Sequence, residues 1–240
     1  MFALNSPRPM SKSLRVLAAL LSYPDALHRS VLAELSAVLQ DERAISASRR
    51  QEIAALIDRL QRTDALQAES DYVELFDRGR STSLHLFEHV HGDSRERGPA
   101  MIDLGQTYEK AGLILAEGEL PDYLPAVLEF VSTQPAGEAK AFLGEMCHIF
   151  NAIFGALQQQ GSAYASVLGA LIELAGEKAE PVTPPAEPPI DESWAEPVVF
   201  DGCSSKGQAK PGQPQPVQIV RNHILRNQGT AHPQSQGVAP

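Results

Sequence analysis

The chain has 240 residues, 43% of them apolar, with a formal net charge of −10 at pH 7 and a pI near 5.2. That length and apolar fraction suit one core of ordinary size, and the acidic balance argues against nucleic acid, whose phosphates are held by clustered Lys and Arg. Only Cys147 and Cys203 are present, one on an apolar helical stripe and one in a Gly-Ser loop, which excludes a disulfide framework and fits a reducing cytoplasm.

Arg8, Lys12 and Arg15 precede the apolar run Val16 to Leu21, but the run is short and no small-residue cleavage site follows it, so the segment reads as an amphipathic helix and not as a secretory signal. Nowhere does an apolar run reach the ~18 residues that span a bilayer. Leu14, Leu17, Ala18 and Leu21 repeat at helical spacing up to Tyr23-Pro24, where proline ends the helix and opens the next. The second helix carries Leu27, Val31, Leu35, Val38 and Leu39. Ser46 or Ser48 caps a third with the stripe Ile53, Leu56, Ile57 and Leu60, and Asp64 caps a fourth. Further on, Met101, Leu104, Tyr108, Ala111 and Leu115 share a face, and Asp122 is placed to cap a helix with Pro125 in its first turn. Leu143 to Leu157 forms the longest stripe, and Val167, Leu168, Leu171 and Ile172 the last. No alternation of strand type occurs within residues 12–176. The expectation is an all-α bundle of eight or nine helices over residues 12–179, followed by a disordered Pro/Gly/Gln-rich tail over 180–240. Two apolar islands interrupt that tail, at residues 191–200 around Trp194 and at residues 217–226.

The densest mixture of apolar anchors and charges lies between Asp71 and Asp103. Its core, Tyr72-Val-Glu-Leu-Phe-Asp-Arg-Gly-Arg-Ser-Thr-Ser-Leu84 followed by Leu86-Phe-Glu-His-Val-His-Gly92, resembles the signature of the NarJ-type nitrate reductase assembly chaperones, within the wider TorD/DmsD group of redox-enzyme maturation proteins. A second segment, Glu119-Leu-Pro-Asp-Tyr-Leu124, is similar to the Glu-x-Pro-x-Asp-His segment of that group, with Tyr123 where an imidazole is common, and residues 191–200 with the later Gly-Cys pair also look NarJ-like. The resemblance implies an all-helical, cytoplasmic chaperone with no catalytic residues and no stably bound cofactor or metal. It implies as partner the N-terminal segment of the nitrate reductase catalytic (alpha) subunit, held while molybdenum cofactor is inserted into that client, with no nucleic acid and no stable membrane association. The candidate peptide-binding residues are Tyr72, Leu75, Phe76, Arg78, Phe87, Glu88, His89, Tyr108, Asp122 and Tyr123. Helix-in-groove recognition suits them, with apolar anchors between bundle helices and acidic rim residues meeting basic ones. The same aromatics also suit a core, and the charges a solvated face.

Two other motifs compete. His85-Leu-Phe-Glu88-His89 matches the H-x-x-E-H pattern in which two histidines one helical turn apart bind zinc and the glutamate activates water, the basis of a zinc-dependent hydrolase reading. The pattern lacks an identified third ligand, and the resembled family has Leu at the position of His85. Gly202-Cys-Ser-Ser-Lys-Gly207 lacks the Lys-Ser/Thr and the preceding strand of a phosphate-binding loop. A helical adaptor for another partner is the remaining alternative.

Overall fold

The computed structural model describes residues 9–92 and 94–180, and among these ten α-helices and one 3-10 turn make up the regular structure, with no strand. The helices are α1 (Ser11–Leu21), α2 (Ala26–Glu42), α3 (Ala47–Arg62), α4 (Ala65–Phe76), α5 (Leu86–Val90), α6 (Arg97–Lys110), α7 (Leu124–Ser132), α8 (Ala136–Glu145), α9 (Cys147–Gln159) and α10 (Ala165–Ala175); the 3-10 turn is Arg80–Thr82. The all-α expectation holds. The apolar stripe from Leu143 to Leu157 spans two helices that break at Met146, and α8, which buries only Ala139 and Leu143, shows little apolar periodicity of its own. The tail, both of its islands, Trp194 and Cys203 lie outside the described residues.

At the centre is α10, every residue of which is buried except Glu173; it packs against α1, α3, α8 and α9. Such a helix, apolar all round, is stable only when neighbours enclose it, and each buried Leu, Ile or Val contributes about 1.5–3 kcal/mol. On the other side α1 lies against α7 and α2. In α2 the buried residues are Leu32 and Leu39, whereas Leu27, read as part of the inward stripe, is 76% exposed; the helix starts at Ala26 behind Asp25, not at Pro24.

Several helix ends are capped across long sequence distances. The Glu42 carboxylate accepts from the Lys12 and Ser13 amides at 3.1 and 2.5 Å, which serves the start of α1, where no local side chain caps. Glu173 accepts from the Ser46 amide at 2.6 Å, beside Ser46's own cap on Arg49. The Arg29 guanidinium donates to the Leu60 and Thr63 carbonyls at 2.8 and 2.6 Å and so closes α3. Free amides and carbonyls at helix ends need such partners, and here they also lock neighbouring helices in register.

Candidate functional site

The two segments of resemblance meet in space. Residues around His85 and Tyr123 form an isolated antiparallel bridge, in which the Leu86 amide donates to the Asp122 carbonyl at 3.0 Å and the Leu124 amide to the Leu84 carbonyl at 2.8 Å. His85 is therefore extended, φ −87° and ψ 103°, and stands before α5 as its N-cap. The expected helical turn from His85 to His89 does not exist. The His85 ring turns to Asp122, and His89 Nε2 lies 2.9 Å from the Ser83 carbonyl oxygen. The two imidazoles thus have separate partners, and among the described residues no group of three His, Cys, Asp or Glu side chains is arranged to hold a metal ion.

Asp122 organises the junction. Its side chain is fully buried, and it does not cap α7, whose N-cap is Tyr123. One carboxylate oxygen instead accepts the Phe87 amide at 3.1 Å, serving the first turn of α5 from 35 residues away, and the other lies 3.3 Å from His85 Nδ1. Arg97, at the start of α6, reaches Asp122 at 3.9 Å and Glu88 at 3.5 Å. A buried carboxylate is tolerated only with such partners, since desolvation without them is costly. Asp122 is accordingly a structural hub and not the exposed rim charge expected from sequence.

The Asp122 hydrogen bond raises the His85 pKa above the ordinary imidazole value, against the opposing effect of partial burial. A pKa raised on folding gives stability that is full below the unfolded value near ~6.5 and lost as pH rises through the folded value. The thermal midpoint of wild type relative to His85→Asn should therefore be highest below the unfolded value of ~6.5 and fall as pH rises above it. A difference that does not vary with pH would show that His85 and Asp122 are not coupled.

Beside this junction is an open cleft of about 440 Å³ whose lining includes Arg80, His85, Glu88, Arg97 and Phe76. The Arg80 guanidinium donates to the Glu88 carbonyl at 3.2 Å and lies under Gly92, where φ is +52° and any Cβ would strike it. The cleft wall is mostly polar and charged, suited to a hydrogen-bonding segment more than to apolar anchors. Behind it is an aromatic cluster. The Tyr72 hydroxyl donates to the Leu21 carbonyl at 2.7 Å, which leaves its oxygen to accept from the Tyr123 hydroxyl at 3.0 Å. Phe76 packs on Tyr72 at 4.8 Å and on Tyr164 at 5.1 Å.

The candidate residues thus fall into three groups. Tyr72, Phe76, Tyr108 and Asp122 are buried and hold the site together; Tyr108, the one fully buried residue of α6, donates to the Pro121 carbonyl at 2.8 Å and packs on Phe130. Leu75, Phe87, Glu88, His89 and Tyr123 are half-buried, with Phe87 against the His91 ring at 5.3 Å, and Arg78 is exposed and paired with Glu74 at 2.7 Å. Burial pushes the phenols of Tyr72, Tyr108 and Tyr123 upward, so all three stay neutral hydrogen-bonding groups. Arg80 and Arg97 shape the cleft as much as any residue selected for peptide binding, and only their density of charge marks them in the sequence.

Residues 42–168, which carry this junction, match the family model described as nitrate reductase delta subunit, more than half of the chain. The chain belongs to that family. Within the family it is 40% identical over 162 residues to the nitrate reductase molybdenum cofactor assembly chaperone NarJ of Escherichia coli K12, covering 68% of this chain and 69% of that protein. It is also 31% identical over 159 residues to the probable nitrate reductase molybdenum cofactor assembly chaperone NarJ of Bacillus subtilis, covering 65% of this chain and 84% of that one. A crystal structure of a putative redox enzyme maturation protein from Archaeoglobus fulgidus superposes with a TM-score of 0.53 at 19% identity, over 74% of this chain and all of the other, which establishes a shared fold. The matched range, residues 42–168, includes the bridge between Leu84 and Leu124.

Proposed function

We propose that this chain is a chaperone for the catalytic subunit of a respiratory nitrate reductase, and not a catalyst itself. It binds the N-terminal segment of the immature subunit, keeps the subunit open to insertion of molybdenum cofactor, and delays its docking on the membrane partner. The observation that carries this reading is the 40% identity, over two thirds of both chains, to a protein named as an assembly chaperone for this cofactor and enzyme. The geometry is compatible with it, since the cleft offers hydrogen-bonding groups and is backed by the packed rings of Tyr72, Phe76 and Tyr164. The zinc hydrolase alternative loses its basis once His85 is extended and committed to Asp122.

The cytoplasm is the expected site of action, because client maturation precedes export or docking; among the described residues no helix is long and apolar enough to cross a membrane. The cofactor is cargo of the client and needs no resident site on the chaperone. Three or four apolar anchors at about 1.5–3 kcal/mol each, less ~2–5 kcal/mol for ordering the peptide and the cost of association, correspond to binding near or below the micromolar range. Titration calorimetry of the full chain with a peptide copying the N-terminus of the nitrate reductase catalytic subunit should show one site of that strength. No heat and no competition at high peptide concentration would contradict the reading.

A further inference from the structure

The two sides of α6 are unlike. Inward, Tyr108 is buried, Leu104 packs on the core, and Arg97 reaches Asp122 and Glu88 beside the cleft. Outward, Ile102 is 62% exposed. Gly98 and Gly105, on the same side, leave it uncovered, since a Cβ at either would meet nothing within 4 Å. A single exposed apolar residue is ordinary and by itself calls for no partner. The charges around Ile102 are not ordinary.

Arg95 stands seven residues before Ile102 and Glu109 seven after it, about two helical turns each way, so the three lie on nearly one line along the outward side. The turn leading into α6 keeps to that path, with the Arg97 amide donating to the Ser94 carbonyl and the Ala100 amide to the Glu96 carbonyl, both at 3.2 Å. Glu96 and Lys110 flank the line on one side, near its two ends. All four charged residues are exposed, and none has an ion pair among the described residues. The face therefore opens with a cation and an anion, Arg95-Glu96, and closes with an anion and a cation, Glu109-Lys110. Turned end for end, this pattern is its own complement: Arg95 meets Glu109, and Glu96 meets Lys110. A parallel copy would set each charge against its like, whereas an antiparallel one also opposes the helix dipoles favourably.

We propose that the outward side of α6 is a pairing surface for a second copy of the chain. The two helices run antiparallel about a two-fold axis at Ile102, with Arg95 of each copy on Glu109 of the other and Glu96 on Lys110. A two-fold interface presents one patch twice, so its charges have to complement themselves in this way. Asp103 is the exception, since it lies on the flank of Glu96 and Lys110 and meets its own copy near the axis. One helix from each copy is a small interface, so the dissociation constant should be on the order of 10–100 µM. Because the inward side of the same helix carries Arg97, pairing braces the wall of the Asp122 cleft from outside. The pairing does not depend on the chaperone reading.

Sedimentation equilibrium of the full chain, from about 5 to 500 µM, tests this. Wild type should pass reversibly from monomer to dimer over that range. Ile102→Asp, at an exposed position, should melt with wild type and stay monomeric. Arg95→Glu and Glu109→Arg should each weaken pairing about tenfold at low salt and less at high salt. An equimolar mixture of the two, or the double variant, restores both couples and should return to within about twofold of wild type, and Asp103→Asn should tighten the dimer. The charge-swap rescue stands however Ile102→Asp folds. A wild type that stays monomeric throughout would overturn the proposal. So would a dimer that Ile102→Asp leaves intact, which would place the contact elsewhere, or single variants that weaken it with no rescue on mixing, which would rule out the antiparallel order.

Discussion

Asp122→Ala is expected to lower stability by about 2–4 kcal/mol, because it strips the Phe87 amide of its buried acceptor and leaves His85 and Arg97 without their common carboxylate. In a domain of this size that corresponds to a fall in Tm on the order of 5–10 °C. The damage should be local before it is global: with the first turn of α5 uncapped, amide exchange at Phe87 and Glu88 should accelerate ahead of exchange in α10. Asp122→Asn should cost about 1 kcal/mol, since its amide oxygen can still accept from Phe87, and it should abolish the pH dependence traced to His85. An Asp122→Ala protein that melts with wild type would mean that the junction is held by the bridge alone.

Tyr72→Ala is expected to cost about 3–5 kcal/mol in denaturant unfolding, by opening a cavity where Tyr23, Phe76 and Tyr164 now meet the ring at 5.6, 4.8 and 6.4 Å. Tyr72→Phe isolates the hydroxyl. The Leu21 carbonyl, which closes α1, would be left with the Tyr123 proton, released from the Tyr72 oxygen, at 3.4 Å, and the loss should be about 1 kcal/mol. Both values follow from burial, since the ring ties α4 to the end of α1. A Tyr72→Ala chain that keeps full stability would contradict this placement of the ring.

Helices whose apolar residues recur every third and fourth position are legible in the sequence alone: α3 buries the four residues of its stripe, and α10 buries everything around Val167 to Ile172. Two buried residues in α8 are too few to mark a helix, so Leu143 merges by pattern with the stripe of α9. Asp122 before a helix containing an early proline fits the rule for a local cap. Its carboxylate goes elsewhere because the bridge at His85 brings the Phe87 amide within reach, a contact between positions that no local pattern connects. The same bridge unwinds the residue that makes His85-x-x-Glu88-His89 resemble a zinc site. The family is legible because residues 72–92 form a long and specific match, yet a long match does not say which side chains point inward. Tyr72, Phe76 and Tyr108 are buried, while Tyr164, with no motif around it, carries the unpaired hydroxyl.

The most direct measurement is maturation itself. In cells whose own nitrate reductase assembly chaperone has been deleted, expression of this full chain together with its cognate reductase should restore nitrate reduction, and the purified catalytic subunit should carry molybdenum at close to one atom per chain. A catalytic subunit that stays empty of molybdenum while this chain is expressed and folded would contradict the assignment.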